Sequence, residues 1–294
     1  MAPATTTLHP SLLGTTLKVV TWPARFSSPA IVDACVVAEV RRLMAVFDVY
    51  DQGSELRRHR AGEPAGPELL VVEGLAARWR SRTGGAFNPS VETLRQLWLQ
   101  AEAQGRPPSD ARLAAEVADM TAAPFDNLNA IAKGWIVDRA VDRARELRRA
   151  PRSLLVEAGG DLLHRGAGAH RVGIENPFRP YDNEPPIATV EVSNQAVATS
   201  GSSRRFFRVG GARYGHVIDP RTGRPVDTIV SVTVIAADAA TADVLATAVM
   251  VLGVDEGLRL IESEPEAACF IIDRDGERTL SSQWPAASGV ADSG

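Results

Sequence analysis

Asp243 and Thr247 stand four residues apart in a stretch, Thr241 to Leu252, whose apolar spacing predicts a helix, so a carboxylate and a hydroxyl share one helical face. Both are hard oxygen donors of the kind magnesium or calcium takes. Two ligands do not complete a metal site, and the same pair also reads as a local hydrogen bond or a solvent-facing couple. Lys133 falls at the start of another predicted helix, where unpaired backbone N–H groups and the positive end of the dipole favour an anion. Together they suit a diphosphate; an exposed first-turn lysine is the plain alternative. His216 and Asp219 lie in the run Tyr214 to Pro225, a strand leading into a turn rich in Asp, Pro and Gly. A histidine there can act as a general base, or it can pack at a sheet edge while Asp219 caps its own turn. Gly84-Gly85-Ala86-Phe87-Asn88 and Gly159-Gly160-Asp161 bring bare backbone to two tight places, as close approach to a ligand needs and as a helix end or hairpin turn needs equally.

These residues have to be positioned by the elements around them. Thr16 to Trp22 alternates like a half-buried strand, and Ser28-Pro29 opens a helix with Val32, Val36, Val40, Leu43 and Phe47 on one face. A loop at 51–54 precedes a helix from Pro67 to Arg82, which Gly84-Gly85 terminates. Asn88-Pro89 caps the next helix, with Val91, Leu94, Leu97 or Trp98 and Ala101 as its buried stripe. A short helix near Asp110 to Met120 leads to the Lys133 helix, expected to run through Arg149. Short strands follow at 154–157, 162–164, 171–174, 187–192 and 196–199. Arg204 to Val209 and Ala212 to Ile218 flank Gly210-Gly211 as a hairpin. Ile229 to Ala236, the Asp243 helix, a short helix to Ser263 and a strand from Ala268 to Asp273 complete the series. Helices followed by runs of adjacent strands predict an α+β fold, one domain over 10–284, with disordered tails at 1–9 and 285–294.

Bulk composition narrows the function classes. A chain of 294 residues, 45% hydrophobic and 23% charged, can bury a sizeable core. A net charge of −4 without blocks of like charge argues against a nucleic-acid partner; Arg57, Arg58, Arg60, Arg148 and Arg149 read as solvated faces. Cys35 and Cys269 lack the neighbours of a zinc site and fit a reducing compartment. No window reaches the ~20 apolar residues that cross a bilayer, and the N-terminus has no secretory pattern, so no membrane insertion and a cytoplasmic location are expected. Among the 32 basic residues only Lys18 and Lys133 are lysine. In an arginine-biased sequence each is a weak pointer to a site that needs a compact ammonium.

The order of these segments resembles the ApbE family of FAD:protein FMN transferases from Leu13 to about Trp284. The matching stretches are Tyr50 with Ser54-Glu55-Leu56, Thr83 to Pro89, Ile131 to Gly134 with Val137-Asp138, Glu157 to Asp161, Ala198 to Gly201, His216 to Pro225, and Ala242-Asp243 with Ala246-Thr247. The resemblance implies a single α+β domain, related to the T-fold, with mixed or antiparallel sheets, flanking helices and a cleft for FAD. It implies magnesium held by Asp243, Thr247 and the backbone carbonyl of Ala130. Leu13, Tyr50, Ala86, Phe87, Asn88, Asn127, Lys133 and Val217 fall where the family meets FAD, and His216 falls where a histidine assists proton removal from the attacking hydroxyl; Lys133 and His216 are the catalytic pair. The implied reaction moves FMN onto a Ser or Thr of an acceptor protein carrying a flavinylation motif, with AMP leaving. Asn88 and Asn127 stand where the family commonly has aspartate, and Asn129 where it commonly has glycine. An amide still accepts one hydrogen bond, and asparagine tolerates positive φ. The lost charges leave an FAD pyrophosphatase or a non-catalytic FAD binder as alternatives.

Overall fold

The structure, a computed structural model, describes residues 3–125, 127–179, 184–201 and 206–285. Its elements run β1 (Thr5–Leu12), β2 (Thr15–Trp22), α1 (Pro29–Phe47), α2 (Glu55–Arg60), α3 (Pro67–Arg82), a 3₁₀ turn (Pro89–Val91), α4 (Glu92–Gln104), α5 (Asp110–Ala122) and α6 (Asn129–Arg145). The second half contains β3 (Ser153–Ala158), β4 (Asp161–Gly166), β5 (His170–Ile174), β6 (Ala188–Val192), β7 (Ala196–Gly201), β8 (Phe206–Val209), β9 (Ala212–Gly215), β10 (Ile229–Ala236), α7 (Ala239–Leu252), α8 (Val254–Glu262), β11 (Ala268–Asp273) and β12 (Arg278–Leu280).

Eight strands form one sheet in the order β1-β2-β3-β4-β7-β10-β11-β12, and every neighbouring pair is antiparallel. Strand alternation then assigns its two faces. Leu17, Val19, Leu154, Val156, Leu163, Ala198, Val232, Val234 and Ile271 point into the main core, against Val36 and Val40 of α1, Ile131, Val137 and Val141 of α6, and Val244 and Leu245 of α7. Val20, Leu155, Leu162, Val197 and Ile235 point the other way and are covered by Val190 and Val192 of the β5–β6 hairpin. A third, smaller core joins Leu94, Trp98 and Ala101 of α4 to Met120 of α5 and to Phe207 and Val209 of β8.

Several expectations change. Residues 5–9 are no disordered tail: Thr5 to His9 pair with Thr21 to Leu17 as an edge strand. Backbone pairing holds this segment, and Pro10 falls at the register shift after His9, on an edge where a missing N–H is tolerated. Helix α6 stops at Arg145 instead of running through Arg149, because the chain must turn at Pro151 to enter β3; the Arg145 guanidinium donates to the Pro151 carbonyl at 2.9 Å. The second hairpin arm ends at Gly215, and Ile218 instead bridges to Pro225. The first two residues expected in that hairpin, Arg204 and Arg205, and the expected tail from 286 on lie outside the described residues. Asn129 does not take positive φ; it is the first residue of α6, where asparagine is as acceptable as glycine.

Candidate functional site

Two antiparallel helices carry the site. Asp138 on α6 accepts hydrogen bonds from the Ala239 and Ala240 N–H groups at the start of α7, at 2.7 and 3.0 Å. One turn earlier Gly134 lets the backbones touch: a Cβ there would sit 2.6 Å from the Ala239 carbonyl oxygen and the Ala240 Cα. This contact brings Lys133 on α6 to within 4.0 Å of Asp243 on α7; Ala130 lies three residues before Lys133, and Thr247 four residues after Asp243. Within the sequence motif, Gly134 and Asp138 therefore act as a helix-packing device.

The Lys133 ammonium lies 2.7 Å from Asp161 Oδ2 and 4.0 Å from Asp243 Oδ2. Asp161 opens β4 directly after Gly159 and Gly160, both at positive φ, and is 1% exposed. Burial drives the Asp161 carboxyl well above its usual range, the neighbouring Asp243 charge adds to this, and Lys133 opposes it. Two carboxylates thus face one ammonium. Across the same helix the Thr247 hydroxyl lies 3.3 Å from the Ser200 hydroxyl of β7. The donors are all oxygen, which fits a hard divalent cation. Among the described residues no three His, Cys, Asp or Glu side chains form a metal-ligating group. A cation beside Asp243 and Thr247 would therefore need further ligands from backbone, water and substrate phosphate, which is how magnesium commonly binds with a nucleotide.

A cavity of about 340 Å³ is lined by Lys133 together with Leu13, Met44, Phe47 and Tyr50. Leu13 and Gly14 form the two-residue β1–β2 turn, both at positive φ (60° and 69°), a strained conformation for leucine. Tyr50 is 74% exposed, so its ring face is open to a ligand.

His216 and Val217 follow directly after β9, where the Val226 N–H returns to the Val217 carbonyl. The turn beyond is rigid. Asp219 accepts from the Arg221 backbone and guanidinium at 2.8 and 2.9 Å, and the Trp98 indole of α4 donates to the Gly223 carbonyl at 2.8 Å. The Cγ of Arg221 packs near Gly85, 3.6 Å from where its Cβ would be, which brings the Gly84-Gly85 loop against the His216 turn.

The structure brings Leu13, Tyr50 and Lys133 to one cavity and Lys133 and Asp243 to one polar cluster. Ala86 and Phe87 are fully buried, with Phe87 in the main core. Asn88 and Asn127 are buried and engaged locally: Asn88 Oδ1 accepts from Ser90 N–H and Asn127 Oδ1 from Asn129 N–H. Asp161 and Ser200 carry no role in the sequence reading, although both lie in segments that resemble the family; Gly159-Gly160 placed before Asp161 is the signal for the first. Lys18 proves to be a cross-strand partner of Glu157 at 3.1 Å, so only one of the two lysines leads to the site.

Comparison with known proteins gives the site its relatives. The chain is 32% identical over 266 residues to the FAD:protein FMN transferase of Vibrio cholerae, a match spanning 82% of this chain and 78% of that protein. It is 33% identical over 241 residues to the protein of that name from Treponema pallidum, covering 69% and 65% of the two chains. The match to the Salmonella typhimurium protein of that name, at 38% identity, spans 52% of this chain and 44% of that one. Among solved structures, the ApbE protein of Thermotoga maritima superposes with a TM-score of 0.81 at 25% identity, over 95% of this chain and 97% of that one. The apo flavinyl transferase ApbE of Pseudomonas stutzeri gives 0.78 at 26% identity, over 95% of each chain. The model of the ApbE family matches residues 13–271, which takes in every element from β2 to β10 with α7 and α8, and the chain belongs to the ApbE family.

Proposed function

We propose that this protein is a magnesium-dependent FAD:protein FMN transferase, which cleaves FAD and joins FMN by a phosphoester to a Ser or Thr of an acceptor protein. The observation that carries the reading is that Lys133, whose ammonium meets Asp161 and Asp243, lines the same cavity as Leu13 and Tyr50. A dinucleotide fits that layout with its diphosphate beside Lys133 and its isoalloxazine against Leu13 and the open face of Tyr50. Magnesium bound by Asp243, Thr247 and the Ala130 carbonyl would neutralise charge on the diphosphate.

The chain's own residues do the rest by positioning. Lys133 orients the diphosphate as a point charge, its ammonium kept in place by Asp161. The acceptor hydroxyl attacks the FMN-side phosphorus; the new P–O bond forms as the bond to the bridging oxygen breaks, and AMP leaves with that oxygen. His216 takes the hydroxyl proton. Positioning and charge stabilisation account for most of the catalysis in such phosphoryl transfers. Asn88 and Asn127 serve as local caps and do not enter these steps. A cytoplasmic setting goes with this reading and is supported by the unpaired cysteines, Cys269 with its thiol pushed by burial up to about 12. No helix among the described residues is long and apolar enough to cross a membrane.

Mass spectrometry tests the proposal. The protein, FAD and magnesium are mixed with an acceptor bearing a flavinylation motif, and the acceptor is expected to gain one FMN while AMP accumulates in equal amount. Free FMN and AMP without acceptor labelling would make the protein an FAD pyrophosphatase, and FAD that stays intact with magnesium in excess would make it a flavin binder.

A further inference from the structure

Asp138 is a buried carboxylate that the proposed chemistry does not use. It lies one turn beyond Gly134 on α6, is 5% exposed, and makes no ion pair among the described residues. Its two oxygens instead hold the Ala239 and Ala240 N–H groups. Asp238 holds the third, accepting from Thr241 N–H at 2.8 Å, and Ala242 N–H already bonds back to the Asp238 carbonyl. The Ala239, Ala240 and Thr241 N–H groups are thus satisfied by two carboxylates of different origin. Asp238 belongs to α7's own cap; Asp138 reaches across from α6.

We infer that Asp138 is a positioning residue for the metal-binding pair, fixing the axial register of α7 against α6 and with it the placement of Asp243 and Thr247 beside Ala130 and Lys133. This rests on the metal reading proposed above. The geometry supplies the leverage. Asp243 is one helical turn from the clamped Ala239, roughly 6 Å along the axis, and Thr247 one turn further, so a slide or tilt at the clamp passes along a rigid helix to both ligands. Gly134 keeps the helices too close for the clamp to be replaced by ordinary side-chain packing. Supporting residues of this type commonly change metal affinity by about tenfold to a hundredfold when removed, although they touch no metal.

Asp138→Asn and Asp238→Ala separate this role from general helix capping. Each removes carboxylate acceptors from the same helix end, but only the first cuts the tie to α6. Burial pushes the Asp138 carboxyl up to about 7, so both variants are compared with wild type at about pH 8, where the group is ionised. Magnesium affinity is read by calorimetry in the presence of FAD, and FAD affinity by flavin fluorescence in EDTA. The expected result is magnesium binding about tenfold weaker in Asp138→Asn, with FAD binding in EDTA within about twofold of wild type, and magnesium affinity unchanged in Asp238→Ala despite a comparable drop in melting temperature. Equal loss of magnesium affinity in both variants, or none in Asp138→Asn, would overturn the inference. A second measurement needs no variant: in wild type, magnesium with FAD should slow hydrogen exchange at the Ala239 and Ala240 amides, because coupling between clamp and metal site is reciprocal. Unchanged exchange there, with magnesium bound, would overturn it as well. Wild type that binds FAD but no magnesium would remove the metal reading itself and this inference with it.

Discussion

The central sheet carries a buried polar cluster on each face, and the two are built from groups that could both be mistaken for catalytic machinery. On the helix-covered face Lys133 meets Asp161 and Asp243; on the hairpin-covered face Ser153 meets His164. The second pair resembles a nucleophile with its base. Yet His164 Nδ1 accepts from the Asn194 N–H at 3.3 Å, so its proton is on Nε2, which donates to the Ser153 oxygen at 2.7 Å. The proton runs the wrong way for a base, both groups are buried, and every polar atom is satisfied. On the other face two acidic groups share one ammonium and a cavity adjoins it. What separates a site from a structural cluster here is charge with access to a cavity, since buried polar groups that are fully paired serve folding.

The largest effect should come from breaking the cluster beside the cavity. Asp243→Ala removes the one carboxylate that both approaches Lys133 and shares a helical face with Thr247, and flavin transfer should fall by about a hundredfold or more, the scale seen when one preorganised electrostatic group is lost. Rates of acceptor labelling by mass spectrometry give the answer; activity within a few-fold of wild type would leave Asp243 outside the chemistry. Next comes Lys133→Met, expected to weaken FAD binding about tenfold, as loss of a charge-assisted contact of ~1.5 kcal/mol implies. That variant also strands Asp161 without its cation. Adding Asp161→Asn should restore melting temperature without restoring FAD affinity, and a double variant no more stable than Lys133→Met would refute the pairing.

The fully paired cluster should respond in stability alone. Ser153→Ala leaves the His164 N–H without a partner and should cost about 1 to 3 kcal/mol of folding free energy, with transfer rates unchanged well below the melting point. Acid acts on the same place. Burial holds the His164 pKa below its ordinary value, so the folded form resists a proton that the unfolded chain accepts. Its contribution is complete above about pH 6.5 and declines as pH falls below that value. His164→Gln should therefore flatten the fall in melting temperature between neutral and mildly acidic buffer, and an unchanged slope would assign the acid sensitivity elsewhere.

How much of this was legible depended on whether a feature is local. Val32, Val36, Val40, Leu43 and Phe47 announce α1 because helical period is written into adjacent turns, and the strand Ile229–Ala236 reads as a continuous apolar run. Strands β1 and β12 leave little trace, since polar, short edge segments such as TTTLHPSL owe their order to partners distant in the chain. The site divides in the same way. Asp243 and Thr247 share a helix and their pairing can be read directly, whereas Asp161 acquires its meaning only when β4 is laid beneath α6 and α7. Resemblance named Ala86 and Phe87 as positions near the flavin but could not tell that both are fully buried, Phe87 within the main core. The reverse holds for Asp138, whose motif was visible and whose function as a tie between helices was not.

The smallest expected effect, at Leu13, sharpens the contrast between a residue kept for stability and one kept for binding. A leucine at φ 60° is uncommon and costs about 1 kcal/mol relative to a relaxed backbone, and the next residue of the turn is already glycine. A turn selected for folding alone would favour Asn-Gly or Gly-Gly at this place. Leucine puts an apolar residue at the wall of the cavity that Lys133 and Tyr50 also line. Leu13→Gly should thus leave melting temperature the same or slightly higher, since relief of strain offsets the greater freedom of glycine in the unfolded chain, while the KM for FAD rises about threefold to tenfold from the loss of one partly buried apolar contact. Leu13→Asn, which keeps positive φ accessible but presents an amide, should show the same rise in KM. If either variant instead lowers stability and leaves KM unaltered, the strained leucine belongs to the hairpin and the flavin end of the cavity must be sought away from it.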